Sequence, residues 1–496
     1  MERAWTAMNR VFVTVLAVLL LSAPGPAHAA RDMALEVRLK AQMTILASDE
    51  FEGREPGTPG EAKTLRYIGK QWYDMGLVSG TNDPAHEWFA PVTLVAREPA
   101  ASAGQFTRKG ARIASLPNSL LMLTSGKRSF LREAPVLFVG LASGTLPSRS
   151  ELAGRVALLL DGGIAGTERQ NALLAGGASA VVTVLDGDRT LDSVAARRKR
   201  SGYALASDAL GGDLEGFITT AGLGQLLGGG ADTLTGLERD AVRPGFVART
   251  LDLAATLEAT TRETTIHTHN AIGRLPGRDS WAGAVLFVAH WDHFGICASP
   301  PAEDLICNGA IDNASGVAAL TEIARRLSKG PQLDRDVYFL ATTAEELGLL
   351  GAHAFAENPP LPLNRIVAAF NIDSIALAPP GTPLAIVGRG MTRLDLQIEA
   401  AARQQRRTIV AGDAANVYFR RQDGWALLQH DIPTVMVTSA YADIKRLERF
   451  FDGNYHRPSD DMKQVIELGG AGEDVAFMVA LGRWFGDPRK VPLAAK

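Results

Sequence analysis

Between Asn270 and the last fifty residues, short and nearly continuous apolar runs alternate with amphipathic stretches. The runs "AVLFVAH" (284–290), "DVYFLATTAEE" (336–346), "IVAAFNID" (366–373), "PLAIVG" (383–388) and "IPTVMVT" (432–438) predict buried strands, each bounded by Gly, Pro or acidic residues. Between them, "ASGVAALTEIARRLS" places Val317, Leu320, Ile323, Ala324 and Leu327 on one helical face, and "RLDLQIEAAARQQ" predicts a second helix. This order predicts an α/β domain whose mostly parallel mixed sheet is covered by helices on both faces. Ligands of such sheets bind beyond the C-terminal ends of the strands.

Two other textures precede it. Residues 33–78 read as helix, loop, helix: the Gly/Pro-rich turn in "EGREPGTPGEAKTLRYIGKQWYDMGL" leads into Leu65, Ile68, Trp72 and Met75 at helical spacing. From 106 to 255 the chain becomes Gly- and Ala-rich, with short strands in "APVLFVG", "GRVALLLDGG" and "ASAVVTVLD". The expected organisation is a smaller, β-rich α+β domain over 106–255, inserted into a discontinuous domain of residues 30–105 and 256–496.

Composition narrows the class of partner. The formal net charge of −3 offers no electrostatic reason to expect nucleic acid or an anionic membrane. The one dense basic run, Arg197 to Arg200, reads as a solvated loop. The N-terminus carries Arg3 and Arg10, an apolar run from Val11 to Leu21, and the small-residue site Ala27-His28-Ala29. Residues 1–29 therefore read as a signal peptide, with no cysteine nearby for a lipid anchor. No later segment reaches the ~18 apolar residues that a membrane span needs. The expected protein is exported, to the periplasm or the extracellular space, without a stable membrane anchor; its oligomeric state is left open.

Export decides how the two cysteines read. Cys297 and Cys307 lie ten residues apart in one loop, and in an oxidising compartment such a pair is expected to form a disulfide. Two thiolate metal ligands are the rival reading. Closing so short a loop stabilises by roughly 3 kcal/mol on the chain-entropy account.

Acidic and histidine residues gather at the predicted strand ends. In "AHWDHFG", alternation along an extended segment puts His290 and Asp292 on one face and turns His293 away. A carboxylate behind an imidazole fixes its tautomer and raises its basicity as a ligand, although the pair alone would equally suit a core histidine. Asp312, in "NGAIDNASG", sits in a Gly-flanked turn before a helix, where it could cap the helix or bridge two cations. Glu345 and Glu346 enter a Gly-rich turn; two such carboxylates are costly unless something cationic offsets them, or else they are a solvated helix start. Asp373 ends the run "AAFNID". In "NYHRPSDD", Asp460 follows His456 by four residues as an orienting carboxylate. Two imidazoles and three carboxylates, with one glutamate to spare, suit two divalent cations sharing a bridge.

The pieces "AHWD", "GAIDNASG", "EELGLLGA", "NID" and "YHRPSDD", in this order, resemble the co-catalytic zinc exopeptidases that include secreted bacterial aminopeptidases and plasma glutamate carboxypeptidase (metallopeptidase clan MH). "EGREPGTPGEAKTLRYIGKQWYDMGL" and "HNAIGRLPG" look like the same family's earlier segments, so the likeness covers about 33–100 and 265–488. The insert, through "ELAGRVALLLDGG" and "LLAGGASAVV", resembles a protease-associated domain more loosely. The resemblance implies two Zn2+ per chain, one held by His290 and Asp373, the other by Glu346 and His456, with Asp312 between them. It implies a hydroxide bridging the metals as nucleophile, Glu345 as general base and Asp292 as the group orienting His290. It also implies a cis peptide bond between Asp312 and Asn313.

The expected activity is that of a secreted metallo-aminopeptidase acting on peptides. A carboxypeptidase or dipeptidase on the same scaffold is the alternative. A one-zinc glutaminyl cyclase and a receptor-like module without catalysis fit less well, because no expected ligand is missing. One departure concerns specificity: family members often carry Ser-Asp-His where this chain has Gln422, Asp423 and Gly424. His293, His353 and His430 have no metal role in the pattern and read as loop or helix-surface residues.

Overall fold

Along the strand Ala284–His290 the side chains part alternately into two cores. Val285, Phe287 and Ala289 pack with Leu35, Ile68, Trp72, Val317 and Phe485. Leu286 and Val288 pack with Leu340, Phe355, Ala426 and Leu427 on the other side. A strand buried on both faces reads as a continuous apolar run because neither face meets water. The ring of Phe287 packs 5.9 Å from Phe339 and 5.5 Å from Phe370, and truncating it to alanine would cost about 3–5 kcal/mol.

The structure, a computed structural model, describes residues 31–493 apart from 142–144, 161–163, 186–188, 209–210 and 229. The signal peptide expected over 1–29 lies outside the described residues. Among them, fifteen strands join in one sheet. Its centre is four parallel strands in the spatial order Thr434–Thr438, Ile366–Asn371, Ala284–His290 and Asp336–Thr342. The short strand Ala385–Val387 closes one edge antiparallel. Helices Met33–Leu46, Pro59–Asp74, Gly316–Ser328 and Leu468–Phe485 contribute to the first core, and Leu350–Glu357 and Asp423–Gln429 to the second. The α/β architecture expected from the apolar runs is the one observed. No helix among the described residues is long and apolar enough to cross a membrane.

On the far side of Asp336–Thr342 lies the strand Arg249–Leu275, antiparallel to it and, over most of its length, to Phe89–Arg108. This ribbon continues the sheet into the parallel set Arg128–Gly140, Val156–Leu160, Ala180–Leu185 and Leu214–Thr219. A further apolar cluster forms there around Phe138, Leu158, Val182, Leu253 and Leu257.

Arg197–Arg200 corrects the loop expected at that run: it belongs to the helix Leu191–Ser201, whose first turn is capped by Thr190 with Ser193. Arg198 pairs there with Glu215. Cys297 and Cys307 form the expected disulfide, their Cα atoms 5.7 Å apart, across the hairpin Gly295–Ile296 with Ile306–Cys307.

Candidate metal centre

Three neighbouring parallel strands deliver their charged residues to one edge of the sheet. His290 is the last residue of its strand and pairs in register with Thr342, the last of the next. Glu345 and Glu346 lie just beyond Thr342, in a turn that Glu345 closes by accepting from the amides of Gly348 and Leu349. Asp373 lies two residues beyond the strand end at Asn371. Asp312 comes from the turn Ala310–Ser315 that precedes the helix Gly316–Ser328, and His456 from the loop after the helix Ile444–Gly453.

The Asp312 turn is held on every side. Asp460, fully buried, accepts from the amides of Ile311 and Asp312, each at 3.0 Å. Asn313 Oδ1 accepts from the amides of Gly316 and Ser374, and its Nδ2 donates to the Ile372 carbonyl. Asn313 thus takes the capping role considered for Asp312, whose carboxylate is left for the cleft. Gly309 adopts φ +54°, and a Cβ there would come within 2.0 Å of the Asp312 carbonyl and 2.7 Å of the His293 ring. The Asp312–Asn313 peptide bond is cis, as the resemblance implied.

The two oxygens of Asp312 face different imidazoles. Oδ1 lies 3.2 Å from His290 Nε2, and Oδ2 lies 3.3 Å from His456 Nε2. On the first side Asp373 Oδ1 stands 3.6 Å from His290 Nε2; on the second, Glu346 Oε2 stands 3.0 Å from His456 Nε2. Glu345 offers an oxygen within 4.8 Å of donor atoms of His290 and Asp373. All six residues named for this site meet in one pocket. The side chains of His290, Asp312, Glu346 and Asp373 are at most 10% exposed, whereas His456 is 32% exposed.

Electrostatics favour added positive charge. Burial pushes Asp292 up to about 8 and Glu345 well above the carboxylate range. For His456, burial is outweighed by Asp312 and Glu346, which raise it to about 9; for His290, burial is outweighed by Glu345, Asp312 and Asp373. Yet His290 Nε2, His456 Nε2 and Glu346 Oε1 are buried without a well-formed hydrogen bond. The two imidazole nitrogens thus face carboxylate oxygens at 3.0 to 3.6 Å without a directional bond. Nitrogen and carboxylate donors arranged in this way fit divalent cations.

Two expectations are corrected. His293 does not turn away: it is 1% exposed and its Nδ1 lies 2.6 Å from Glu346 Oε1. The strand ends at His290, so two-residue alternation no longer governs the residues after it. Asp460 holds the Asp312 turn and not His456. Asp292 reaches His290 Nδ1 more closely through its carbonyl, at 3.2 Å, than through its carboxylate, at 3.8 Å; that carboxylate also accepts from the Glu345 amide. His353 and His430 lie elsewhere, against each other, with nitrogens 3.3 Å apart.

Several neighbours carried no signal in their local sequence. Arg54, sealed from solvent, donates to the carbonyls of Leu46, Trp291, Asn308 and Gly309. Tyr455 stacks on His456 with ring centres 3.6 Å apart. At the position of the departure, Gln422 bonds Asn371 and Tyr441, and Asp423 accepts from Thr342. A Cβ on Gly424 would meet Phe419 at 3.0 Å and Thr434 at 3.2 Å, so the space for a histidine is already filled.

Comparison with known proteins agrees with this geometry. Residues 270–479 match the family model of Peptidase family M28, a range that contains His290, Asp312, Glu345, Glu346, Asp373 and His456. Over 307 residues the chain is 26% identical to the Mycobacterium tuberculosis protein named "Probable lipoprotein aminopeptidase LpqL", covering 56% of this chain and 58% of that one. Over 121 residues it is 34% identical to "Aminopeptidase YwaD" of Bacillus subtilis, 24% of each chain. The matched part therefore spans less than two thirds of either curated relative. The fold is shared with an aminopeptidase from Aneurinibacillus sp. strain AM-1, at a TM-score of 0.56 and 19% identity over 93% of this chain and 96% of that one.

Proposed function

Residues 270–479 belong to peptidase family M28, and from that premise we propose that the chain is an exported zinc aminopeptidase that removes N-terminal residues from peptides. The observation that carries the proposal is the placement of Asp312, with one oxygen toward His290 and the other toward His456. Two Zn2+ would be held, one by His290, Asp373 and Asp312, the other by His456, Glu346 and Asp312. Bound there, zinc supplies Lewis acidity, which polarises a carbonyl and makes water nucleophilic near neutral pH.

The remaining chemistry belongs to side chains. The Glu345 carboxylate is the group placed to take a proton from the attacking water and return it to the leaving amine. Asp292 fixes the His290 ring through Nδ1, leaving Nε2 for the pocket. Asp460 and Arg54 hold the backbone on which these groups stand. The Cys297–Cys307 disulfide supports an oxidising, exported location. The separate apolar cluster around Phe138 and Val182 supports an inserted domain over residues 106–255.

Metal analysis of protein reconstituted with zinc, paired with hydrolysis of aminoacyl p-nitroanilides and N-blocked peptides, tests the proposal. It expects two zinc ions per chain and release of unblocked N-terminal residues. Fewer than one ion per chain, or cleavage of N-blocked substrates alone, would overturn it.

A further inference from the structure

Arg421 lies against Tyr455, the residue whose ring stacks on His456. His456 is the most exposed member of the candidate ligand set. Tyr455 stacks on His456, and Arg421 packs against Tyr455: its guanidinium carbon is 5.4 Å from the Tyr455 ring centre and 5.3 Å from that of Phe451. Its Nη2 donates to Tyr455 Oη at 3.2 Å. Two aromatic faces and one phenol oxygen thus fix the plane of an exposed guanidinium. No carboxylate pairs with it among the described residues, unlike Arg389, which meets Glu399, and Arg407, which meets Glu473 and Asp474. An arginine has five N–H donors, and here most of them are unspent.

Resting on the aminopeptidase reading of this cleft, we propose that Arg421 binds a carboxylate of the substrate. The geometry selects a ligand of that class because a planar guanidinium matches a carboxylate with two parallel hydrogen bonds. Its fixed orientation lowers the entropy cost of that match. Beside the candidate ligand His456, Arg421 adds an unpaired positive charge that favours an anionic group there. The carboxylate comes either from the free C-terminus of a very short peptide or from an acidic side chain beside the scissile bond.

Two substrate pairs separate these sources: Ala-Ala against Ala-Ala amide, and Glu-p-nitroanilide against Gln-p-nitroanilide. The zinc-loaded wild type is expected to favour the carboxylate member of at least one pair in kcat/KM by about tenfold or more, mostly through KM. In R421Q that ratio is expected to collapse toward one, with R421K between. A wild type with no preference in either pair, or an R421Q variant that lowers both members by the same factor, overturns the proposal. In that event cleavage of the neutral members leaves the aminopeptidase reading standing. A wild type that cleaves none of the four removes both.

Discussion

Arg54 Nη1 donates to the carbonyl of Asn308 at 2.6 Å, joining an N-terminal loop to the segment that leads into Asp312. The same side chain holds Leu46, Trp291 and Gly309. Burial pulls its pKa down to about 10, against the pull of Asp312 and Asp460, so it remains a cation at neutral pH. Arg54→Met would take this donor from the Leu46, Trp291 and Asn308 carbonyls and remove the charge behind the carboxylates. The expected cost is roughly 3 kcal/mol or more of stability, together with faster zinc loss on dialysis. Urea unfolding and metal analysis check both; a variant that matches wild type in each would deny Arg54 its role.

Glu345→Gln keeps the shape of the turn and removes the proton-transfer group. Zinc content is expected to stay at the wild-type level while kcat falls by about 10²–10⁴. Turnover near wild type in a fully loaded variant would take Glu345 out of the mechanism.

The Cys297–Cys307 bridge closes the hairpin that runs directly into Asn308 and Gly309. Replacing both cysteines by serine is expected to cost about 2–3 kcal/mol and to weaken zinc binding through the loosened turn. Calorimetric unfolding and a zinc competition titration measure the two effects; unchanged zinc affinity would uncouple the hairpin from the centre.

Asp474 offers a pH signature away from the metal pocket. Burial pushes it up to about 6, against the charge of Arg407, 3.6 Å away, and hydrogen bonds from Thr438 and Ser439. A carboxyl whose folded pKa exceeds its unfolded value near 3.8 contributes stability fully below that value and loses it as pH rises through 6. The stability of wild type relative to Asp474→Asn is therefore expected to fall, by up to about 3 kcal/mol, between pH 4 and pH 7. A constant difference across that range would contradict the burial argument.

The central strands were legible because Val285 to Ala289, like Val367 to Phe370, are buried on both faces and leave unbroken apolar runs. The candidate ligands were legible because they follow those runs. The long strand Arg249–Leu275 was not read, although Leu251, Leu253, Ala255, Leu257 and Ala259 are buried at strict two-residue spacing. Its alternation is the mark of a sheet with one wet face, a different pattern from the runs beside it. Arg54 had no local mark at all. Its partners Trp291, Asn308 and Gly309 lie more than 230 residues away, and nothing around an arginine in sequence announces that its donors will end on distant backbone carbonyls. His293 escaped because the strand rule was carried past the strand.

Anomalous diffraction at the zinc edge from a zinc-loaded crystal tests the central claim most directly. Two peaks are expected, one against each oxygen of Asp312, the first beside His290 and Asp373 and the second beside His456 and Glu346. A single peak, or two peaks that leave Asp312 out of contact with either, would contradict the shared-bridge arrangement.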